Sequence, residues 1–265
     1  MMVPDIKIAK KQILDNGVGF FDTYSCAYIV TNENFRQVLK FMPQKTDNAL
    51  VVTGSGDFPI FSALYGAKHI DSFDVTYNSK LIMDIKTTAI KTLKYTEYKK
   101  LLKNLYSNPA VMCVKNMDTI LKQLVIEEQE YIENMFGYPL FNNGLHPKDS
   151  RAETFLSSKE FYKARKIIDK PFDFIWTDIE HLSSKLNKKY DFIHLSNIFD
   201  YLNDEQVIDV LHSLTRYTRP GCNICITCLW PMNSFSAIKE FTNKNKKWHI
   251  IPREKDFECL YVLQR

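Results

Sequence analysis

Five short apolar runs recur along the chain, Ala49 to Thr53, Ile70 to Asp74, Asp173 to Thr177, Asp191 to Ser196 and Asn223 to Leu229, with helical stretches between them. Strands of this kind, alternating with helices, predict a parallel sheet built from strand–helix–strand units. Trp248-His249-Ile250-Ile251, a Pro252 to Asp256 turn and Phe257 to Leu263 then predict a terminal antiparallel hairpin. From about Ser79 to Lys170 the texture changes to helix with little strand signal. Leu81, Ile82, Ile85, Ala89, Ile90 and Leu93 recur at helical spacing, and Tyr95 to Leu105 continues the pattern. Asn108-Pro109 is a cap and first-turn pair for a helix with Val111, Val114, Met117, Leu121, Leu124 and Val125 on one face. Tyr138 to Asp149 reads as a loop, and helix resumes from Ser157 to Ile168. The predicted organisation is an N-terminal helical and loop cap over 1–48. A sheet domain over 49–265 follows, enlarged by a helical insertion at about 79–170 after the second strand.

Composition narrows the class. The chain has 265 residues, 45% hydrophobic and 25% charged, which excludes collagen, coiled-coil rods and wholesale disorder. A formal charge of +4 is too mild to demand a nucleic acid or membrane but is compatible with an anionic ligand. No run approaches a membrane-spanning length and the N-terminus lacks a signal-peptide order, so the expected location is cytoplasmic. Lys99, Lys100 and Lys103, among the aromatics of Tyr95 to Tyr106, read as a solvated helix face rather than an RNA surface, and no stable nucleic-acid partner is expected. Cys222, Cys225 and Cys228 have a cluster-like spacing. The segment reads as a buried strand, in which positions three apart face opposite ways, so these thiols are expected to be small core residues. No pair of histidines has metal spacing with a nearby acid, and no metal is expected. His69 and His194 are expected to be satisfied core residues.

Glycine is scarce, 8 of 265 residues, about 3% against a usual level of about 7%. Two of the eight, Gly54 and Gly56, stand directly after the first apolar run, in Thr53-Gly54-Ser55-Gly56-Asp57. A strand opening into a helix through such a turn lets backbone approach a ligand closely. About twenty residues on, Asp74 ends the second run, where an acid can bind both ribose hydroxyls. The third glycine of the dinucleotide fingerprint is missing, so a nucleoside without a pyrophosphate fits better. The third run ends at Asp178-Ile179 and the fourth at Ser196-Asn197, and in an open parallel sheet all four sets converge beyond the strands' carboxyl ends. Bland readings stand beside these. Gly54 and Gly56 also suit a simple tight turn, Asp74 and Asp178 suit helix caps, and Asp200 suits a cap or surface ion pair.

Thr53 to Asp57, Phe73-Asp74-Val75-Thr76-Tyr77-Asn78, Tyr190 to Leu202 and Arg219-Pro220-Gly221 together resemble an S-adenosylmethionine-dependent class I enzyme. More narrowly they resemble the betaine-lipid diacylglycerol 3-amino-3-carboxypropyltransferase family, through Ser196-Asn197-Ile198-Phe199-Asp200-Tyr201 after the fourth strand and the helical insertion after the second. The resemblance covers roughly Ala49 to Leu229. The family's aromatic-acidic segment before the first strand is represented only by Tyr24-Ser25-Cys26-Ala27-Tyr28, without the acid. The short chain points away from a diacylglycerol acceptor. In size it is closer to the aminocarboxypropyltransferases of microcin C-type peptide-nucleotide antibiotic maturation.

The resemblance implies an α/β, Rossmann-like class I methyltransferase fold and S-adenosyl-L-methionine as cofactor. Gly54, Ser55 and Gly56 would border its methionyl and ribose region and Asp74 its ribose hydroxyls, with Thr53, Asp57, Val75 and Asn78 also among the cofactor-binding residues. Asp178 and Ile179 would border the adenine, and Ser196 and Asn197 the amino-acid part. Asp200, Tyr201 and His146 are the candidate catalytic residues on the acceptor side. The implied reaction transfers the 3-amino-3-carboxypropyl group to a phosphate or hydroxyl of a small or peptidyl-nucleotide acceptor. Methyl transfer from the same pocket, and catalytically silent nucleoside binding, are the alternatives.

Overall fold

In the computed structural model the described residues are 4–15, 22–31, 33–107, 117–142, 156–169, 172–228, 235–251 and 260–265. Seven strands form the main sheet: β2 (Asn48–Val52), β3 (His69–Asp74), β5 (Asp173–Trp176), β6 (Tyr190–His194), β7 (Thr218–Thr227), β8 (His249–Ile250) and β9 (Leu260–Gln264). Their order is β5-β3-β2-β6-β7-β9-β8. The first five are parallel, and β9 runs antiparallel to both β7 and β8. This is the Rossmann-like class I methyltransferase fold expected from the sequence, closed by its C-terminal hairpin. The chain enters at the middle strand, β2, and winds first toward β3 and β5, then toward β6 and β7. The reversal of order therefore falls between β2 and β6, where open α/β sheets bind ligands.

The sheet is buried on both faces because its strands carry apolar side chains on alternate sides. Along β2, Ala49 and Val51 join one core and Leu50 and Val52 the other. The first core holds α1 (Ile6–Asp15), α2 (Phe35–Leu39), α3 (Asp57–Tyr65) and α4 (Tyr77–Thr92). With them are the insertion helices α5 (Tyr95–Ser107), α6 (Met117–Leu121), α7 (Ile126–Asn134) and α8 (Ser158–Ile167). The second core lies under α9 (Ile179–Leu182), α10 (Asp204–Thr215) and α11 (Phe235–Lys244). Capping boxes at Ser157/Glu160 and Asn203/Gln206 start α8 and α10, each satisfying backbone donors that the first helical turn leaves open. Cys225 lies in the first core and Cys222 and Cys228 in the second, so the sheet itself separates the three thiols.

Several local expectations need correction. Within the stretch read as a loop, β4 (Phe141–Asn142) pairs in parallel with β1 (Ala27–Tyr28), tying the N-terminal segment to the insertion. A two-residue ladder between segments more than a hundred residues apart has no periodicity to betray it. The helix expected to run through Leu124 and Val125 stops at Leu121, and α7 begins anew at Ile126. Its sequence, IEEQEYIEN, is too acidic to show an apolar stripe. His69 is exposed at the start of β3 rather than in the core. Asn108-Pro109 lies outside the described residues. No helix among the described residues is long and apolar enough to cross a membrane.

Candidate active site

Beyond the carboxyl ends of β2, β3, β5 and β6 lies a cavity of about 470 Å³, within the usual range for small-molecule sites. Each of these strands contributes its following turn: Gly54 and Ser55 after β2, Val75 and Thr76 after β3, Thr177 to Glu180 after β5, and Ser196 to Ile198 after β6. Cys26, Ala27, Tyr28, Thr31 and Glu33 complete the wall from the N-terminal segment.

The glycine turn is built from both sides. Gly54 has φ +51° and Gly56 φ +78°, conformations that an L side chain resists. A Cβ on Gly54 would meet nothing within 4 Å, whereas one on Gly56 would come within 2.6 Å of Met83 Cα on α4. Gly54 thus presents backbone to the cavity, and Gly56 lets α4 pack against the turn. Neither Gly56 nor Thr53 lines the cavity. Asp57 stands behind the wall too. It accepts from Lys86 Nζ at 2.6 Å, from Ser55 Oγ at 2.7 Å and from Thr31 N at 2.9 Å. Lys86 is wholly buried, and that burial pulls its ammonium below the usual lysine range while Asp57 opposes the shift. The pair therefore positions two wall residues, Ser55 and Thr31, from behind.

Asp74 is different: it is buried and on the wall. Its Oδ2 accepts from Gly54 N at 2.9 Å and its Oδ1 from Thr76 N at 3.1 Å. Burial pushes the carboxyl up to about 6, partly opposed by these backbone donors. Asn78 is buried away from the cavity, donating to Tyr24 O and Ser25 O and accepting from Tyr131 Oη, so it holds the loop that carries Cys26 and Tyr28. Asp178 and Ile179 both line the cavity. Asp178 also caps α9, accepting from His181 N at 2.8 Å, and its carboxylate meets the exposed His181 ring.

Ser196 is the one non-glycine residue with positive φ, +52°, among the described residues. Such strain gathers where function demands a side-chain direction. Its hydroxyl donates to Glu33, a carboxylate of the N-terminal segment that also accepts from His194 Nε2 at 3.1 Å and from Thr227 Oγ1. His194, on β6, is completely buried and stacks on Phe58 with ring centroids 3.8 Å apart. Asn197 and Tyr201 line the cavity, Tyr201 with about half its surface exposed (55%). Burial, with Tyr28 and Asp200 nearby, pushes its phenol up, so it stays protonated at neutral pH. Asp200 sits in the same short turn, Ile198–Tyr201, off the cavity wall. His146 lies outside the described residues.

Glu33, Thr31 and Phe58 are not among the residues the sequence singles out, and Tyr28 enters only as the end of the Tyr24 to Tyr28 segment. Thr31-Asn32-Glu33-Asn34 carries only the signal of a helix start, and Asn34 does cap α2. Nothing local links Glu33 to His194 or Thr227, 161 and 194 residues away. The wall's charge is equally invisible in a composition with a small positive excess. It carries Glu33, Asp74, Asp178 and Glu180, and no lysine or arginine among the described residues that line it. No described group of three His, Cys, Asp or Glu residues could hold a metal ion.

No family model and no curated protein matches the chain. Among solved structures it is similar to the N-methyltransferase NodS from Bradyrhizobium japonicum WM9 in complex with S-adenosyl-L-homocysteine, with 11% identity and TM-score 0.45 over 98% of this chain and 97% of that one. It is also similar to a ribosomal protein L11 methylase from Lactobacillus delbrueckii subsp. bulgaricus, with 12% identity and TM-score 0.46 over 89% and 80%. A third is a putative rRNA methylase from Clostridium thermocellum, with 10% identity and TM-score 0.45 over 89% and 96%. The fold assignment rests on the strand order above.

Proposed function

We propose that this protein is an S-adenosylmethionine-dependent transferase that moves the 3-amino-3-carboxypropyl group to a soluble acceptor. The observation that carries the proposal is Asp74, a buried carboxylate at the end of β3, tied to the glycine turn and opening on the cavity. A carboxylate there accepts hydrogen bonds from a ribose diol. Val52, Phe73, Ile179 and Ile198 give an apolar lining suited to adenine, and the lack of basic side chains on the described wall suits a nucleoside without phosphates. When bound, the cofactor supplies a sulfonium whose substituent carbons are electrophilic, and the carbon that faces the acceptor in line is the one transferred.

The chain's own residues hold and orient. Asp74 and Val75 would border the ribose, Asp178 and Ile179 the adenine, and Gly54, Ser55, Ser196 and Asn197 the methionyl part. Tyr28 and Tyr201 border the acceptor side. Because Tyr201 keeps its proton, it serves as a hydrogen-bond donor, and with Asp200 off the wall a hydroxyl acceptor's proton passes to solvent. An acidic wall repels a phosphate nucleophile, so a hydroxyl of a small acceptor is the better nucleophile. The resemblance of Ser196 to Tyr201 to a segment of the aminocarboxypropyltransferase family favours transfer of that group over methyl. Incubation with the cofactor labelled separately in its methyl and carboxyl carbons, plus candidate acceptors, tests this. Methylthioadenosine and a carboxyl-labelled acceptor are expected. Adenosylhomocysteine and a methyl-labelled acceptor would make the protein a methyltransferase, and binding without either product would make it a nucleoside-binding protein.

A further inference from the structure

Glu33 is a carboxylate that the fold takes trouble to bury. Its side chain is 8% exposed yet lies on the cavity wall. Three donors converge on it from three places: the His194 ring on β6, the Ser196 hydroxyl in the turn after β6, and the Thr227 hydroxyl at the end of β7. The Ser196 backbone is held at φ +52° to make its contribution. His194 Nδ1 is buried with no hydrogen-bond partner among the described residues, so the ring's proton belongs on Nε2, aimed at Glu33. These donors hold the carboxyl below its usual range against the desolvation that would raise it, with the charge and hydrogen bond of His194 the largest of the lowering influences. A carboxylate so supplied with donors is a poor base. It is a fixed negative charge.

No lysine or arginine among the described residues pairs with Glu33, and the buried ammonium of Lys86 is already matched to Asp57. Its ion-pair partner among the described residues is the His194 imidazole, charged only when protonated, and a buried carboxylate that opens on a cavity with no lysine or arginine beside it is a site for a cationic ligand group. The nucleoside cofactor proposed above carries two cations, its sulfonium and the α-ammonium of its amino-acid tail. Ser196, which the same reading sets beside that tail, is in direct contact with Glu33.

Resting on that reading, we infer that Glu33 is the counter-ion of the ligand's α-ammonium and makes the site selective for adenosyl ligands that carry one. Three ligands separate the possibilities. S-adenosylmethionine has both cations, S-adenosylhomocysteine only the ammonium, and methylthioadenosine neither. Calorimetric titration of the wild-type chain and of Glu33→Gln should show S-adenosylmethionine and S-adenosylhomocysteine weakened about ten- to hundredfold by the substitution, the worth of a charge-assisted hydrogen bond, with methylthioadenosine within about twofold. Weakening of S-adenosylmethionine alone would assign the carboxylate to the sulfonium and overturn the inference. Equal weakening of all three, or of none, would overturn it as well, by making Glu33 a structural residue or an irrelevant one.

A second measurement needs no variant. Against the wild-type chain, an adenosylhomocysteine analogue lacking the amino group should bind more weakly than one lacking the carboxylate, and the reverse order would refute the assignment. If none of the adenosyl ligands binds the wild-type chain, the cofactor reading falls and the inference with it. That outcome is distinct from the loss of discrimination that would remove the role of Glu33 alone.

Discussion

Asp74 and Glu33 are both buried acids on one wall, and their surroundings push them in opposite directions. Glu33 has side-chain donors and a histidine, whereas Asp74 has mainly backbone N–H groups against full burial. With its carboxyl near 6 against an ordinary 3.8, native Asp74 holds more protons than the unfolded chain between those values. Its contribution to folding is therefore favourable below about pH 4 and is lost as pH rises through about 6. Binding has the opposite sign, since the ionised carboxylate is the better acceptor for a diol. Affinity for methylthioadenosine should be steady above about pH 7 and fall by up to about tenfold per unit below 6. Calorimetry from pH 5 to 8 checks this, and a flat profile would count against Asp74. Asp74→Ala should weaken the same ligand about ten- to hundredfold at pH 7.5, and unchanged affinity would refute the ribose assignment. The place of Asp74 was readable because one acid ends an apolar run at a set distance from a glycine turn. Glu33 was not, because its meaning depends on His194, Ser196 and Thr227, all remote in the chain.

Among the elements, the glycine turn shows how local pattern and packing divide the work. Gly54-Ser55-Gly56 marks a turn in any reading, but only the approach of α4 distinguishes the two glycines. Gly56→Ala would place a Cβ at 2.6 Å from Met83 Cα, on a backbone with φ +78°. It should cost about 2–5 kcal/mol, combining left-handed strain with overpacking. Gly54→Ala should cost only the strain, about 1–2 kcal/mol. Urea unfolding of the two variants tests the difference, and equal losses would contradict the packing role of Gly56. Strand β2 was legible as a nearly continuous apolar run, whereas β3, β6 and β7 were legible from shorter apolar stretches bounded by polar and turn residues. The pairing of β1 with β4 was not, since two residues carry no period. α7 was hidden because its buried face includes Glu128, which meets Lys80 from α4.

Across the whole molecule, the Lys86 and Asp57 pair joins three regions: α4, the glycine turn through Ser55, and the N-terminal segment through Thr31. Lys86→Met would leave Asp57 buried without its cation, and breaking one side of such a pair typically costs about 3–5 kcal/mol. Adding Asp57→Asn should recover part of that loss by removing the orphaned charge. Denaturant midpoints of the single and double variants check the prediction, and a single-variant loss under about 1 kcal/mol would show that the pair does not brace the wall.

The sequence by itself determined the class of fold and the strand ends at which the cavity opens. Apolar periodicity, turn residues and helix caps are local properties, and right-handed crossovers leave few ways to assemble them. The tertiary structure alone decided which of the predicted residues face the cavity. Gly54, Ser55, Asp74, Val75, Asp178, Ile179, Ser196, Asn197 and Tyr201 lie on its wall, whereas Thr53, Gly56, Asp57, Asn78 and Asp200 stand off it. It also decided that the N-terminal segment supplies a buried carboxylate. Facing and pairing depend on contacts between residues far apart in sequence, and burial gives those contacts their electrostatic weight.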